Sequence, residues 1–66
     1  MKHEIKELNL TVKTYNALHR GGITYLEELC DKTPREVKRI RNLGTASYKE
    51  LVRKMEEYDL KLKEEE

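Results

Sequence analysis

The last third of the chain carries one apolar stripe, Tyr48, Leu51, Val52, Met55 and Tyr58, spaced by the three- and four-residue steps of a helix. No other stretch of the 66 residues is as regular, so the rest of the chain has to pack around this one element. A chain this short holds one domain with a thin core, in which each apolar side chain counts heavily. Strands are not predicted: alternation at period two occurs only in fragments such as Leu8-Asn9-Leu10, too brief to seed a sheet.

Helix start signals recur upstream of the stripe. Thr11 reads as the cap of a helix through Val12, Tyr15 and Leu18, ended by Gly21-Gly22, where left-handed backbone is cheap. Thr24 with Glu27 three residues on fits a capping box, leading to Leu26, Leu29 and Cys30 on one face. Thr33-Pro34-Arg35-Glu36 is a second capping box, with proline at the first helical position and Val37 and Ile40 behind it. The stripe helix opens near Gly44-Thr45, where glycine is expected to permit the turn. Leu8, Leu10, Leu60 and Leu62 fall outside these helices and are expected to close the ends of the core.

The prediction is an all-α fold, a compact bundle of four to five short helices over residues 5–62, with an acidic disordered tail at 63–66. The helices pair into two helix-hairpin-helix-like units, turning through His19-Arg20-Gly21-Gly22-Ile23 and Arg41-Asn42-Leu43-Gly44. Such a turn lets backbone approach a phosphate, and the first N–H groups of the following helix have no partner within it.

Charge is unevenly divided. Residues 1–54 carry 12 Lys/Arg against 7 Asp/Glu, a net +5, and residues 55–66 carry 2 against 6, a net −4. The basic body can meet a polyanion, while the tail offsets it. No apolar run approaches the ~20 residues of a membrane span and no basic-then-apolar leader opens the chain, which points to the cytoplasm. The single cysteine, Cys30, cannot form an internal disulfide and reads as a small packed group. His3, His19 and Cys30 lack metal-ligand spacing, no nucleophile, base and oxyanion-donor set can be assembled, and no phosphate-binding loop of the nucleotide-hydrolase type is present. Neither an enzyme nor a cofactor is expected.

Leu10-Thr11-Val12-Lys13-Thr14-Tyr15-Asn16-Ala17-Leu18 and Arg41-Asn42-Leu43-Gly44-Thr45-Ala46-Ser47 together resemble the C-terminal domain of the bacterial RNA polymerase alpha subunit. The likeness spans about residues 5–62 and includes the spacing between the two halves. It implies a bundle of short helices that binds AT-rich upstream promoter DNA through backbone and minor groove and docks transcription regulators. The sequence holds this module without the large assembly domain that accompanies it in the family, and reads as a free-standing or an excised domain.

Carried over position by position, the resemblance implies a DNA surface of Lys13, Asn16, Asn42, Gly44 and Ser47, with Tyr15 and His19 on a helix face that can receive regulators or polymerase. Two positions depart from the family pattern. Lys13 stands where the family has arginine, and Ala46 where it has lysine. Arginine's planar, weakly hydrated fork suits a narrow minor groove better than an ammonium. A missing lysine removes a phosphate contact and its counterion release. Binding is therefore expected to be weaker and less selective than the family norm. The alternative reading is a protein-interaction module of the same fold with little DNA affinity.

Each residue also has a plainer reading. Lys13 and Asn16 can be ordinary surface residues, Gly44 a turn former, Ser47 part of a first helical turn, and Tyr15 a half-buried packing group. Tyr48 and Tyr58 read as core or core-edge, and Lys32, Arg35, Lys38, Arg39 and Arg41 as a solvated face partly neutralised by Asp31 and Glu36.

Overall fold

The chain opens with a single 3-10 turn, Ile5–Leu8, that buries both its terminal side chains. Four α-helices follow: α1 (Val12–Arg20), α2 (Leu26–Cys30), α3 (Pro34–Lys38) and α4 (Thr45–Glu57). The computed structural model describes residues 3–64, and among these there is no strand, only an isolated antiparallel bridge between Glu4 and Tyr25. That bridge pins the entry segment to the start of α2, through Ile5 N–H to the Thr24 carbonyl (2.9 Å) and Leu26 N–H to the His3 carbonyl (2.7 Å).

The core is a shell of aliphatic side chains around the stripe of α4. Leu51 and Met55 are buried, against Ile5, Leu8, Leu18, Ile23, Leu29 and Val37 from every other element. Leu43 and Leu62 close it from the turn before α4 and from the C-terminal segment, with Leu10 and Leu60 packed at its edge. Lys63 N–H bonds the Lys32 carbonyl at 2.9 Å, holding that last segment to the end of α2. Of the tail expected at 63–66, Glu65 and Glu66 lie outside the described residues.

Both hairpin turns form where the sequence places them, joining α1 to α2 and α3 to α4. The second capping box is present as expected: the Thr33 hydroxyl accepts from Glu36 N–H and the Glu36 carboxylate accepts from Thr33 N–H. The thirty-third peptide N–H holds the Glu36 carboxyl below its ordinary range, against a smaller opposing effect of burial.

Four details differ from expectation. α2 is capped one residue later: Glu28, not Glu27, accepts from the N–H groups of Thr24 (3.0 Å) and Tyr25 (2.9 Å), while Glu27 reaches back to His3 N–H. Val12 is 74% exposed, and α1 instead buries Thr14, Ala17 and Leu18. Tyr58 is 52% exposed at the end of α4, its hydroxyl donating to the Glu7 carbonyl. Gly44 has φ −77° and ψ 176°, extended backbone open to any residue, and the left-handed residue of that turn is Asn42, at φ 69°.

Candidate nucleic-acid interface

α1 packs against α4, and a carboxylate fastens the pair. Glu50 accepts from Thr11 N–H (2.6 Å), the Thr11 hydroxyl (2.9 Å) and the Thr14 hydroxyl (2.7 Å). Thr14 is fully buried, so the bond supplies the partner that a buried hydroxyl requires. Partial burial pushes the Glu50 pKa up. The hydrogen bonds from Thr14 and Thr11, helped by nearby Arg53, outweigh it and leave the carboxyl below its ordinary range. Thr11 begins α1 without capping it through its own hydroxyl, and that hydroxyl donates to Glu50.

This joint sets the N-terminal half of α1 beside the turn that leads into α4. An open hollow lies between them, lined by Lys13, Asn16, Ala17 and Arg20 from α1 and by Asn42, Leu43 and Gly44 from the turn. Four of the five residues expected at a DNA surface meet there: Lys13, Asn16, Asn42 and Gly44. Lys13 and Asn16 lie three residues apart on one exposed helix face. Ser47 does not join them; its residue is buried (7% exposed) on the inner side of α4. The first main-chain bond of α4 is Tyr48 N–H to the Gly44 carbonyl, and no described residue accepts from the N–H groups of Thr45, Ala46 or Ser47. Ser47 thus has a main-chain donor, rather than a hydroxyl, at the mouth of this helix.

Gly44 itself is unusual within the fold. A Cβ built on it meets nothing within 4 Å, and its backbone is not left-handed. Neither packing nor conformation calls for glycine at this position. What the missing side chain leaves is room for an external group to approach the backbone and the free donors of α4.

Electrostatics distinguish this hollow from the two apolar ones. It has Lys13 and Arg20 and no carboxylate in its lining, whereas the apolar hollow under Tyr58 is rimmed by Glu7 and Glu27, and that beside Tyr48 by Glu56. Arg20 was not anticipated from sequence. Its only signal was its place seven residues after Lys13, two helical turns along the same face. Glu50 was missed because its partners are 36 and 39 residues away.

Tyr15 and His19 are also brought together. Their rings stack at 5.8 Å between centroids and 7° between planes, with Tyr15 half-buried against the core and His19 exposed. Lys38, expected on a solvated face, lies over the Tyr48 ring at 5.0 Å. Cys30 is a half-buried thiol whose pKa is raised by burial and by the neighbouring Glu27 carboxylate, which keeps it neutral. No cluster of three or more His, Cys, Asp and Glu able to hold a metal occurs among the described residues, and no helix there is long and apolar enough to cross a membrane.

Residues 1–57 match the family model for the C-terminal domain of the bacterial RNA polymerase alpha chain. The chain is 50% identical over 62 residues to the DNA-directed RNA polymerase subunit alpha of Malacoplasma penetrans, covering 94% of this chain and 19% of that protein. It is 50% identical over 60 residues to the same subunit of Mycoplasmoides gallisepticum, covering 89% and 18%. Against that of Desulforudis audaxviator it is 45% identical over 62 residues, covering 94% and 20%. The chain spans about a fifth of the length of these relatives.

Proposed function

The chain belongs to the family of C-terminal domains of the bacterial RNA polymerase alpha chain, and from that membership we propose that it is a non-catalytic, cytoplasmic transcription module that docks on double-stranded DNA. The hollow between α1 and the turn before α4 takes the DNA: Lys13 and Asn16 face the minor groove of AT-rich sequence, and Asn42, Gly44 and the N–H groups at the start of α4 hold a backbone phosphate. The observation that carries this reading is the hollow itself. It gathers cationic and amide side chains without a carboxylate, around a glycine whose missing side chain the fold does not need. Ser47 contributes through its main-chain N–H.

The test is a titration of AT-rich and GC-rich duplexes at several salt concentrations, followed by NMR shift changes. Lys13→Ala should weaken binding to the AT-rich duplex without unfolding the domain. Lys13→Arg with Ala46→Lys should strengthen it, and the added phosphate contact should steepen the log–log salt dependence by ~0.9. Lys38→Ala, which removes a cation from a tyrosine face rather than from the hollow, should change little. Absence of shifts with any duplex at low salt overturns the reading.

A second reading has its own observation. The exposed, stacked His19 on Tyr15 presents a flat aromatic face on α1, suited to a regulator or to another part of polymerase. The two roles use different sides of the same helix, and His19→Ala separates them by sparing DNA binding.

A further inference from the structure

We propose that Arg20 and Arg41 form a second phosphate-binding site beside the groove-facing hollow, one that extends the contact along the nucleic-acid backbone without reading sequence. The inference rests on the DNA-binding reading above and adds two residues that it does not assign.

The hollow of Lys13, Asn16 and Gly44 continues into a neighbouring one lined by Arg20, Gly21, Arg41 and Asn42, and the two share Arg20 and Asn42. The second hollow is thus lined by two arginines, an asparagine and a glycine, with no carboxylate and no apolar side chain. The arginines come from different hairpins, and the packing of the two turns brings them together. Gly21 allows this approach: a Cβ there would lie 3.0 Å from Cγ2 of Ile40, the residue before Arg41.

Both arginines are exposed, and neither has an ion-pair or hydrogen-bond partner among the described residues. Some surface cations are engaged, as Lys6 is with Glu4, Lys61 with Glu64, and Lys38 with the Tyr48 ring; Arg20 and Arg41 differ in lining one hollow together. Two converging cations without an anion call for one from outside. Planar forked donors match phosphate oxygens two at a time, where an ammonium offers a point charge. Contacts of this kind position a duplex and carry no sequence information.

The experiment uses the full chain with Arg20→Gln, Arg41→Gln and the double variant, titrated with AT-rich and GC-rich duplexes from low to high salt. Each lost contact should flatten the log–log salt dependence by about 0.9, which is roughly an eightfold smaller gain in affinity between 1 M and 0.1 M salt. The ratio of AT-rich to GC-rich affinity should not move, Arg41→Lys should restore most of the slope, and Lys6→Gln should leave it unchanged. If the double variant keeps the wild-type slope while Lys13→Ala still weakens binding, the second site is wrong and the DNA-binding reading stands. A collapse of the AT preference would make the arginines groove readers and overturn the proposal. Loss of thermal stability with an unchanged slope would reduce Arg20 to a cation at the C-terminus of α1. If the wild type binds no duplex, both readings fall together.

Discussion

Gly21 and Gly44 occupy corresponding turns in the two hairpins, yet the fold constrains them differently. Gly21 is a close-packing position: its hypothetical Cβ would lie 3.0 Å from Ile40 Cγ2 and 3.3 Å from the Ala17 carbonyl oxygen, and its neighbour Gly22 takes the left-handed conformation at φ +89°. Gly44 has ordinary extended backbone and open space where a side chain would go, and Asn42 bears the left-handed strain of that turn. Asparagine tolerates this conformation better than most residues because its short amide can bond locally. One glycine thus serves the packing of the hairpins, and the other leaves an approach to the backbone at the mouth of α4. A residue type shared by two similar motifs can answer to different demands, which geometry separates and spacing does not.

The largest effect on folding is expected at the packed turn. Gly21→Val adds a branched side chain against Ile40, and overpacking of this kind costs about 3 kcal/mol at the upper end of its usual range. In a domain of this size that lowers the melting temperature by more than 10 °C, at about 4–8 °C per kcal/mol. A thermal unfolding curve matching the wild type would mean that the two turns can part freely, and the contrast with Gly44 would lose its basis.

The joint between the hairpins should have an intermediate effect and a pH signature. Glu50→Gln replaces a charged acceptor of three bonds with a neutral one and should cost about 1.5 kcal/mol. Because the folded-state pKa of Glu50 lies below its ordinary value, its contribution is complete above the ordinary carboxylate range. It is lost as pH falls through the depressed folded value. Wild-type stability should therefore decline on acidification below about pH 4.3. The variant should show a shallower decline, not a flat one, since Glu27 and Glu36 are lowered as well. Equal acid slopes in the two proteins would mean that the Thr11–Thr14–Glu50 joint does not hold α1 to α4 in solution.

The same joint shows where legibility ends. Helix number, the Thr33–Glu36 capping box and the α4 stripe were readable because each depends on residues within a few positions of one another. Burial of Thr14 in place of Val12 was not, because the partner that makes a buried hydroxyl tolerable lies 36 residues away. The capping of α2 slipped by one residue for a related reason. Thr24–Glu27 and Tyr25–Glu28 have the same spacing, and Glu27 is drawn to the entry segment. Tyr58 looked like core by periodicity, yet it stands where α4 ends and the chain turns through Asp59 at φ 62°. At the candidate site, the resemblance supplied Lys13, Asn16, Asn42 and Gly44, which the fold gathers in one hollow. Ser47, which it also supplied, is buried on the inner side of α4, and it had no means of finding Arg20, which joins the hollow only once the two turns are packed together.

The smallest effect on folding, and the sharpest test of the comparison, is expected at Gly44. Aspartate is among the best residues at a helix N-cap, and φ −77° admits it without strain. Its carboxylate would accept from the unpartnered N–H groups at the start of α4 and face the positive end of the helix. Since the space there is open, Gly44→Asp should leave stability unchanged or raise it by a few tenths of a kcal/mol. Yet the carboxylate would occupy the donors proposed for a phosphate and place a negative charge beside Lys13 and Arg20, so duplex binding should fall at every salt concentration. Gly44→Ser caps the helix without the charge and should weaken binding less. A protein made no less stable and unable to bind DNA would locate the demand for glycine outside the fold. If Gly44→Asp instead unfolds the domain, Gly44 resembles Gly21 after all. If it is stable and binds as well as the wild type, the phosphate does not sit at the mouth of α4.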